Sequence, residues 1–525
     1  MKILTAAEMR EVDRLTSKTA RVPSLRLMEN AGKSVAEFIQ ARFPEGKRRR
    51  VIVVCGKGNN GGDGFVCARY LQVWGSHVSV HLVGNPADVR GDAARNLRRW
   101  KRVGKLWVEG SSAKSSPLGW QAGDIMVDAL VGTGVRGPLE GHLAEVVTAI
   151  NQRPPGCVVV AVDIPSGLNA DTGDAPGPVV VADHTVTFTA PKPGLLLRAG
   201  PEHVGDLVVC GIGSPRPLIE ETGRGRLRWG EPAEFSKFAL PRKASGHKGD
   251  YGHVLIVAGS VGKSGAAVLA GTAALRAGAG LVTVATPEPV LPMVAAHTPE
   301  IMTEPLAATL TGSVSERCLE GSLFSKILQG KRVLAIGPGL TTHAETQSFV
   351  RTIVRAREVP MVLDADGLNA FAGRGGELSS PRGLLAVTPH PGEMARLLGC
   401  STQQVQARRI DLALQAAAGW NACVVLKGHQ TVIAGPDGRA WINSTGNPGM
   451  GTGGTGDVLT GILAGLTAQY GVDSWPEMLA WGVYLHGLAG DLAYRETGGA
   501  PLMATDLMSC LPRAFRQFYL ECGRG

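Results

Sequence analysis

Two rhythms of apolar residues alternate along this chain. Short runs of unbroken apolarity predict strands over 50–55, 77–83, 124–130, 157–162 and 185–189, with helical spacing over 64–74 and 87–100. Strands that are apolar throughout, rather than at alternate positions, are buried on both faces, which points to parallel sheets covered by helices. Thr5-Ala6-Ala7-Glu8 is a capping box ahead of Met9, Val12 and Leu15, and a second helix is expected over 25–43, after Pro23. The alternation lapses between 211 and 248 and resumes at Tyr251. Strands are then expected over 252–258, 280–285, 332–336, 361–364, 385–388 and 423–426, with alanine-rich helices over 266–277 and 402–418 and closing helices over 457–469 and 475–495. The fold class is therefore α/β, with a first domain over 1–213, a linker over 214–245 and a second domain over 246–525. No fixed-period repeat appears, so solenoids and propellers are excluded.

Composition narrows the partners. Lys+Arg 54 against Asp+Glu 45 gives a net charge of +9, which is mild over 525 residues. It permits phosphate-bearing ligands without demanding nucleic acid, and with only 5% aromatic residues no nucleic-acid partner is expected. Nine cysteines fall singly with no CxxC pair, which fits a reducing compartment. The first residues lack an apolar leader, and no apolar run approaches the roughly 18 residues of a membrane span. A cytoplasmic location, no membrane partner and assembly as a homo-oligomer are expected.

Candidate chemistry in the first half begins after the strand over 50–55. Gly56-Lys57-Gly58-Asn59-Asn60-Gly61-Gly62-Asp63-Gly64 matches the spacing of a dinucleotide fingerprint, in which glycines and a helix start face an anion. The acid that should close the following strand is missing, since Val83-Gly84-Asn85 stands there, and this disfavours ordinary NAD hydride chemistry. The bland alternative is a glycine turn that lets the helix pack. Two more strand ends carry acids, Asp128 and then Asp163-Ile164-Pro165-Ser166-Gly167. Asn60, Asp128, Asp163 and Ser166 at neighbouring carboxyl ends would form a hard-oxygen pocket suited to K⁺, Ca²⁺ or Mg²⁺ rather than zinc. For any one of these acids alone, an Asx turn is the simpler reading.

These runs, with Leu27-Met28-Glu29-Asn30-Ala31-Gly32 and Pro191-Lys192-Pro193-Gly194, resemble the YjeF N-terminal domain, the NAD(P)H-hydrate epimerase family. The resemblance implies a Rossmann-like three-layer sandwich. It implies K⁺ held by Asn60, Asp128 and Ser166, and substrate contacts from Asn59, Asn60, Gly61, Gly62 and Asp63 and from Gly132, Thr133, Gly134, Val135, Arg136, Gly137 and Pro138. It also implies that Asp163 touches the substrate and acts as acid and base.

In the second half, Gly262-Lys263-Ser264 invites a P-loop reading, but a Walker loop needs glycine at 257, where Val257 stands. The stronger signal is Asn447-Pro448-Gly449-Met450-Gly451-Thr452-Gly453-Gly454-Thr455-Gly456-Asp457 ahead of an apolar helix. Its amides can face a phosphoryl group in flight, and Asp457 is placed to take a proton from an attacking hydroxyl. A glycine-rich turn with Asp457 as helix cap is the alternative. This half resembles the ribokinase-like YjeF C-terminal domain, the ADP- or ATP-dependent NAD(P)H-hydrate dehydratase family. That implies substrate contacts from Ala266, Gly339, His390 and Asp457. It implies nucleotide contacts from Lys427, Gly428, His429, Gln430, Thr431 and Gly456, with Mg²⁺ and ADP or ATP as cofactors.

Together the resemblances imply a bifunctional repair enzyme. It would epimerise R- and S-NADHX and NADPHX and dehydrate the S form to NAD(P)H, with Asp163 and Asp457 as catalytic residues. A small-molecule kinase with a regulatory or binding front domain is the alternative.

Overall fold

The structure is a computed structural model that describes residues 1–44, 49–109, 121–222, 225–379 and 384–524. It divides into two compact units, Met1–Gly225 and Arg226–Gly525.

The first unit is built on a seven-stranded sheet. Its strands are β1 (Arg50–Cys55), β2 (His77–Val83), β3 (Leu106–Glu109), β4 (Ile125–Ala129), β5 (Val158–Val162), β6 (His184–Phe188) and β7 (Asp206–Cys210). They lie in the order β3-β2-β1-β4-β5-β6-β7, and every pairing is parallel. The order reverses between β1 and β4, so the loops after these strands part and leave a crevice at their carboxyl ends. Apolar clusters fill both faces: Val51, Val53, Val127 and Val160 on one, Ile52, Val54, Met126 and Val159 on the other. Unbroken apolarity along β1 and β4 follows from this two-sided burial.

Three helices shape the crevice: α1 (Ala6–Thr19), α2 (Ser24–Arg42) and α3 (Asn59–Val73). The expected capping box forms at Thr5 and Glu8. α3 begins five residues earlier than the apolar spacing suggests, so Asn59, Asn60 and Asp63 sit on its first turns rather than in a loop. Close packing explains the glycines there. A Cβ on Gly61 would fall 2.0 Å from the Gly56 carbonyl oxygen, one on Gly62 2.7 Å from Met28 Sδ, and one on Gly64 2.6 Å from Ala129 Cβ. Gly58 differs, because a Cβ there would meet nothing within 4 Å.

Further elements form within 214–222 and 225–245, where the sequence suggested a linker. Arg216–Thr222 is a helix whose Ile219 joins Leu4, Met9, Val12 and Ala190 in a small core. β8 (Leu227–Trp229) is the edge strand of the second unit's sheet.

That second sheet has ten strands. After β8 come β9 (His253–Val257), β10 (Leu281–Pro287), β11 (Met302–Leu306), β12 (Val333–Ile336), β13 (Met361–Leu363), β14 (Leu385–Val387), β15 (Cys423–Leu426), β16 (Val432–Ala434) and β17 (Ala440–Ile442). The order is β11-β10-β9-β12-β13-β14-β15-β16-β17-β8. β11 to β15 pair in parallel, β15, β16 and β17 form an antiparallel meander, and β8 runs parallel to β17. The helices Ser264–Arg276 and Thr455–Tyr470 pack against each other at close range. A Cβ on Gly461 would fall 2.2 Å from the Ala270 carbonyl oxygen, and one on Gly465 2.5 Å from that of Ala274. This contact fixes the helix whose first turn carries Asp457. All nine cysteines are free thiols. Among the described residues no helix is long and apolar enough to cross a membrane.

Candidate active sites

The crevice of the first unit is a cavity of about 760 Å³. Asn59, Asn60, Asp63, Gly132, Thr133, Gly134 and Asp163 line it, while Gly61, Gly62, Val135, Arg136, Gly137 and Pro138 do not. Asp163 follows β5 with φ 65°, a left-handed conformation that costs a non-glycine residue energy but that Asp adopts more readily than most. Its Oδ1 accepts from the Lys192 ammonium, from Thr187 Oγ1 at 3.1 Å and from the Phe188 amide at 3.4 Å. Lys192 is 1% exposed and also donates to Thr187 Oγ1 at 2.8 Å and to the Phe188 carbonyl at 3.2 Å. All of these contacts use Oδ1, which leaves Oδ2 for a ligand.

Asp128 and Ser166 lie behind the crevice and are fully buried. Ser166 donates from Oγ to Asp128 Oδ1 at 2.6 Å and from its amide to Oδ2 at 2.8 Å. Burial pushes the Asp128 carboxyl up to about 6, against the pull of the Ser166 hydrogen bonds. Asn60 is 7% exposed, and neither its amide oxygen nor its amide nitrogen has a hydrogen-bond partner. A buried amide without partners is costly unless a ligand or ion completes it. The three side chains supply hard oxygens, so this donor set fits an alkali cation.

Sequence reasoning did not single out Asp13 and Lys192 as site residues. Asp13 lines the same cavity from α1. Burial, and then the Asp163 charge, raise its carboxyl to about 6 against the opposing Lys192 ammonium. Asp63 is pushed well above the usual carboxylate range by burial and by Asp163 and Asp13. The available signal for Asp13 was its place four residues after Met9 and three before Thr16, on the stripe of α1 that is otherwise buried.

In the second unit the centre is a buried ion pair. Asp364 is 1% exposed and follows β13; it accepts from Lys427 Nζ at 2.6 Å, from Thr388 Oγ1 at 2.7 Å and from Thr460 Oγ1 at 2.7 Å. It thereby ties together the carboxyl ends of β13, β14 and β15 and the helix Thr455–Tyr470. Burial alone would raise the Asp364 carboxyl, but Lys427 and the two hydroxyls bring it below its ordinary value. For Lys427, burial opposes the charge and Asp364 outweighs it, so the ammonium is held charged. Burial first, and the nearby Asp364 charge second, push the Asp457 carboxyl up to about 7.

The residues expected to hold a nucleotide come together. Lys427, Gly428, His429, Gln430, Thr431 and Gly456 all line a cavity of about 480 Å³, with Asn447 and Thr455. Lys427 Nζ lies 3.6 Å from where a Cβ on Gly456 would stand, so the ammonium sits beside the glycine-rich loop. Ala266, Gly339, His390 and Asp457 lie outside that cavity. Ala266 and Gly339 are neighbours, since a Cβ on Gly339 would fall 3.0 Å from Ala266 Cβ. His390 caps the helix Pro391–Leu398 by accepting at Nδ1 from the Gly392 amide at 3.0 Å and the Glu393 amide at 3.4 Å. Partial burial and the Lys427 charge lower its imidazole, which keeps it neutral. Lys427 and Asp364 act on both His390 and Asp457, so the ion pair is the hub of the centre.

Two such centres, each at the carboxyl ends of parallel strands, are the candidate active sites of an α/β protein. Residues 24–194 match the family described as YjeF-related protein N-terminus, and residues 254–513 match the family described as NAD(P)H-hydrate dehydratase. The chain is 46% identical over 529 residues to the bifunctional NAD(P)H-hydrate repair enzyme Nnr of Moorella thermoacetica, covering 99% of this chain and 98% of that one. It is 35% identical over 512 residues to the Escherichia coli enzyme of the same name, covering 97% and 93%. A solved ADP/ATP-dependent NAD(P)H-hydrate dehydratase from Bacillus subtilis, co-crystallised with ATP/Mg²⁺, is 34% identical and covers 55% of this chain and 98% of that chain, with a TM-score of 0.47. The chain belongs to the bifunctional NAD(P)H-hydrate repair enzyme family.

Proposed function

We propose that the first unit interconverts the C6 epimers of NADHX and NADPHX, and that the second dehydrates the S epimer to NAD(P)H. The second step consumes ADP or ATP and releases AMP or ADP with phosphate. The observation that carries this reading is the end-to-end likeness to two-activity repair enzymes, which spans both units of the chain.

In the first unit Asp163 is the acid and base at the substrate. Lys192 fixes its orientation through Oδ1, and among the described residues no hydrogen bond engages Oδ2, which is the oxygen proposed to meet the substrate. The first turn of α3 and residues 132–134 border the hydrated dinucleotide, and the open face at Gly58 lets the backbone approach its phosphates. Asn60, Asp128 and Ser166 would hold K⁺, whose fixed positive charge would steady the loop ends around the substrate.

In the second unit the C6 hydroxyl of the S epimer attacks the terminal phosphoryl group of the nucleotide. Asp457 takes the hydroxyl proton, and its elevated pKa suits that task near neutral pH. The amides of the loop before the helix and the Lys427 ammonium face the charge that develops on the phosphoryl oxygens. Phosphate then leaves from C6, where hydroxide would be a poor leaving group, as the N1 lone pair moves toward C6; C5 then gives up a proton, and the C5–C6 double bond of the reduced ring is restored. Among the described residues no group of three or more His, Cys, Asp and Glu is gathered to hold a metal. Mg²⁺ would therefore be bound chiefly by nucleotide phosphates and water, and there it neutralises phosphoryl charge.

Free thiols throughout are in keeping with a reducing, cytoplasmic setting, and assembly as a homo-oligomer is part of this reading. The test is to incubate the protein with NADHX and either nucleotide, following the absorbance of NADH and the release of phosphate. Recovery of NADH with one phosphate per turnover is expected. A stable phosphorylated product without NADH would point instead to a small-molecule kinase.

A further inference from the structure

The carboxyl group of Asp13 has no place in the chemistry described so far. It sits on the buried stripe of α1, outside residues 24–194, and it lines the 760 Å³ cavity with Asp163, Asp63 and Lys192. Its Oδ1 is buried and has no hydrogen-bond partner. The helix that carries it is held firmly. The Leu4 amide donates to the Pro191 carbonyl at 3.0 Å, the Ala6 amide to Asp171 Oδ1 at 2.6 Å, and Thr16 Oγ1 to Ser214 Oγ at 3.0 Å. The Pro191 contact puts α1 in register with the segment that carries Lys192. A buried carboxyl oxygen without a partner, on an anchored helix facing a cavity, is either a local cost or a group kept for a ligand. The unpartnered Asn60 amide, which lines the same cavity, favours the second.

We propose that Asp13 is the second proton-transfer residue of the epimerase site, the acid that works together with the Asp163 carboxylate. This assignment rests on the epimerase reading of the first unit. C6 of the hydrate bears a hydroxyl group and the ring nitrogen N1, so it is a carbinolamine carbon. Asp163 takes the hydroxyl proton, the C6–O bond becomes a carbonyl, the C6–N1 bond breaks, and Asp13 gives its proton to N1. The aldehyde turns about the C5–C6 bond and presents its other face. N1 then attacks C6 and returns its proton to Asp13, while the carbonyl oxygen recovers a proton from Asp163. No atom is gained or lost, no oxidant or co-reactant is needed, and both carboxyls end as they began.

The division of labour follows from the surroundings. Asp163 is gripped by Lys192, whereas Asp13 holds no cation and faces two other carboxyls, Asp63 and Asp163; Arg10 and Arg14 lie on its own helix, and Arg14 is committed to Glu11 at 2.7 Å. Burial and the Asp163 charge keep the Asp13 carboxyl protonated up to about pH 6. An acid must carry its proton, so exchange should slow as pH rises above that value.

The experiment uses the full chain without nucleotide and follows R-to-S exchange of NADHX by chromatography. Asp13→Asn is expected to lower kcat about 100-fold with KM within about threefold, and to abolish the decline of rate above pH 6. Asp13→Glu should restore most of kcat and keep a declining limb, displaced along the pH axis. Should Asp13→Asn melt more than about 10 °C below the wild type, the Asp13→Glu profile decides: a displaced limb supports the assignment and a superimposable one overturns it. Wild-type exchange with unimpaired Asp13→Asn exchange overturns the role of Asp13 alone. Absence of wild-type exchange overturns the epimerase reading itself.

Discussion

Both units build their centre around a lysine bonded to an aspartate, yet the two lysines serve different partners. In the first unit Lys192 grips Asp163, the residue proposed to work on substrate. In the second Lys427 grips Asp364, a supporting residue, and Asp457 is left with a carboxyl raised to about 7. In each unit the cation decides which carboxylate is held in place. A bonded carboxylate is fixed in place, whereas a buried one left beside another negative charge, as Asp457 is beside Asp364, has its pKa raised toward neutral. One arrangement positions the working acid directly. The other positions its neighbours and lets electrostatics tune it.

The largest break in this comparison should come from Asp457→Asn. Dehydration should fall about a thousandfold while epimer exchange is unchanged, as read by NADH recovery and epimer chromatography on the same preparation. In the wild type, dehydration requires the ionised form of Asp457. Its rate should therefore rise tenfold per pH unit below about 7 and level off above. Next is Lys192→Met, which strips Asp163 of its cation. Epimer exchange should drop about 100-fold, and unfolding in urea should lose about 3 kcal/mol, as expected when one partner of a buried pair is removed.

Asp364→Asn sharpens the contrast rather than breaking it. Removing that negative charge should move the acid limb of dehydration to lower pH, because Asp364 is one of the charges that raise Asp457. The maximal rate should fall about tenfold as Lys427 loses its anchor. The smallest effect separates packing glycines from open ones. Gly61→Ala should cost about 2 kcal/mol, because its Cβ meets a backbone oxygen at 2.0 Å. Gly58→Ala, with nothing within 4 Å, should cost no more than about 0.5 kcal/mol.

What the sequence made legible was local. Continuous apolar runs located β1, β4 and β9, and Thr5 with Glu8 marked the start of α1. The three-residue strand β8 was hidden because its partner, β17, lies more than two hundred residues away and three residues hold no period. β16 and β17 are as short and were also missed, although each pairs with a strand close in the chain. In the site, Asp163 and Asp457 stand out because glycine-rich or turn-forming residues adjoin strand and helix ends. Asp13 and Lys192 owe their roles to contacts made across the sheet or from a distant helix; helical spacing put Asp13 on the buried stripe of α1 but did not announce those contacts. The run around Gly61 carries two meanings: letters that suit a phosphate loop also suit a helix pressed on a strand, and a Cβ on Gly61, Gly62 or Gly64 would meet a close neighbour.

The most direct test of the account pits the two aspartates against each other on a single substrate pool. An equal mixture of R- and S-NADHX is given ADP or ATP together with wild type, Asp163→Asn or Asp457→Asn, and NADH is followed to completion. Complete conversion is expected from the wild type, arrest near half with R-NADHX left over from Asp163→Asn, and no NADH but continued interconversion of epimers from Asp457→Asn. Complete, unslowed conversion by Asp457→Asn would contradict that expectation.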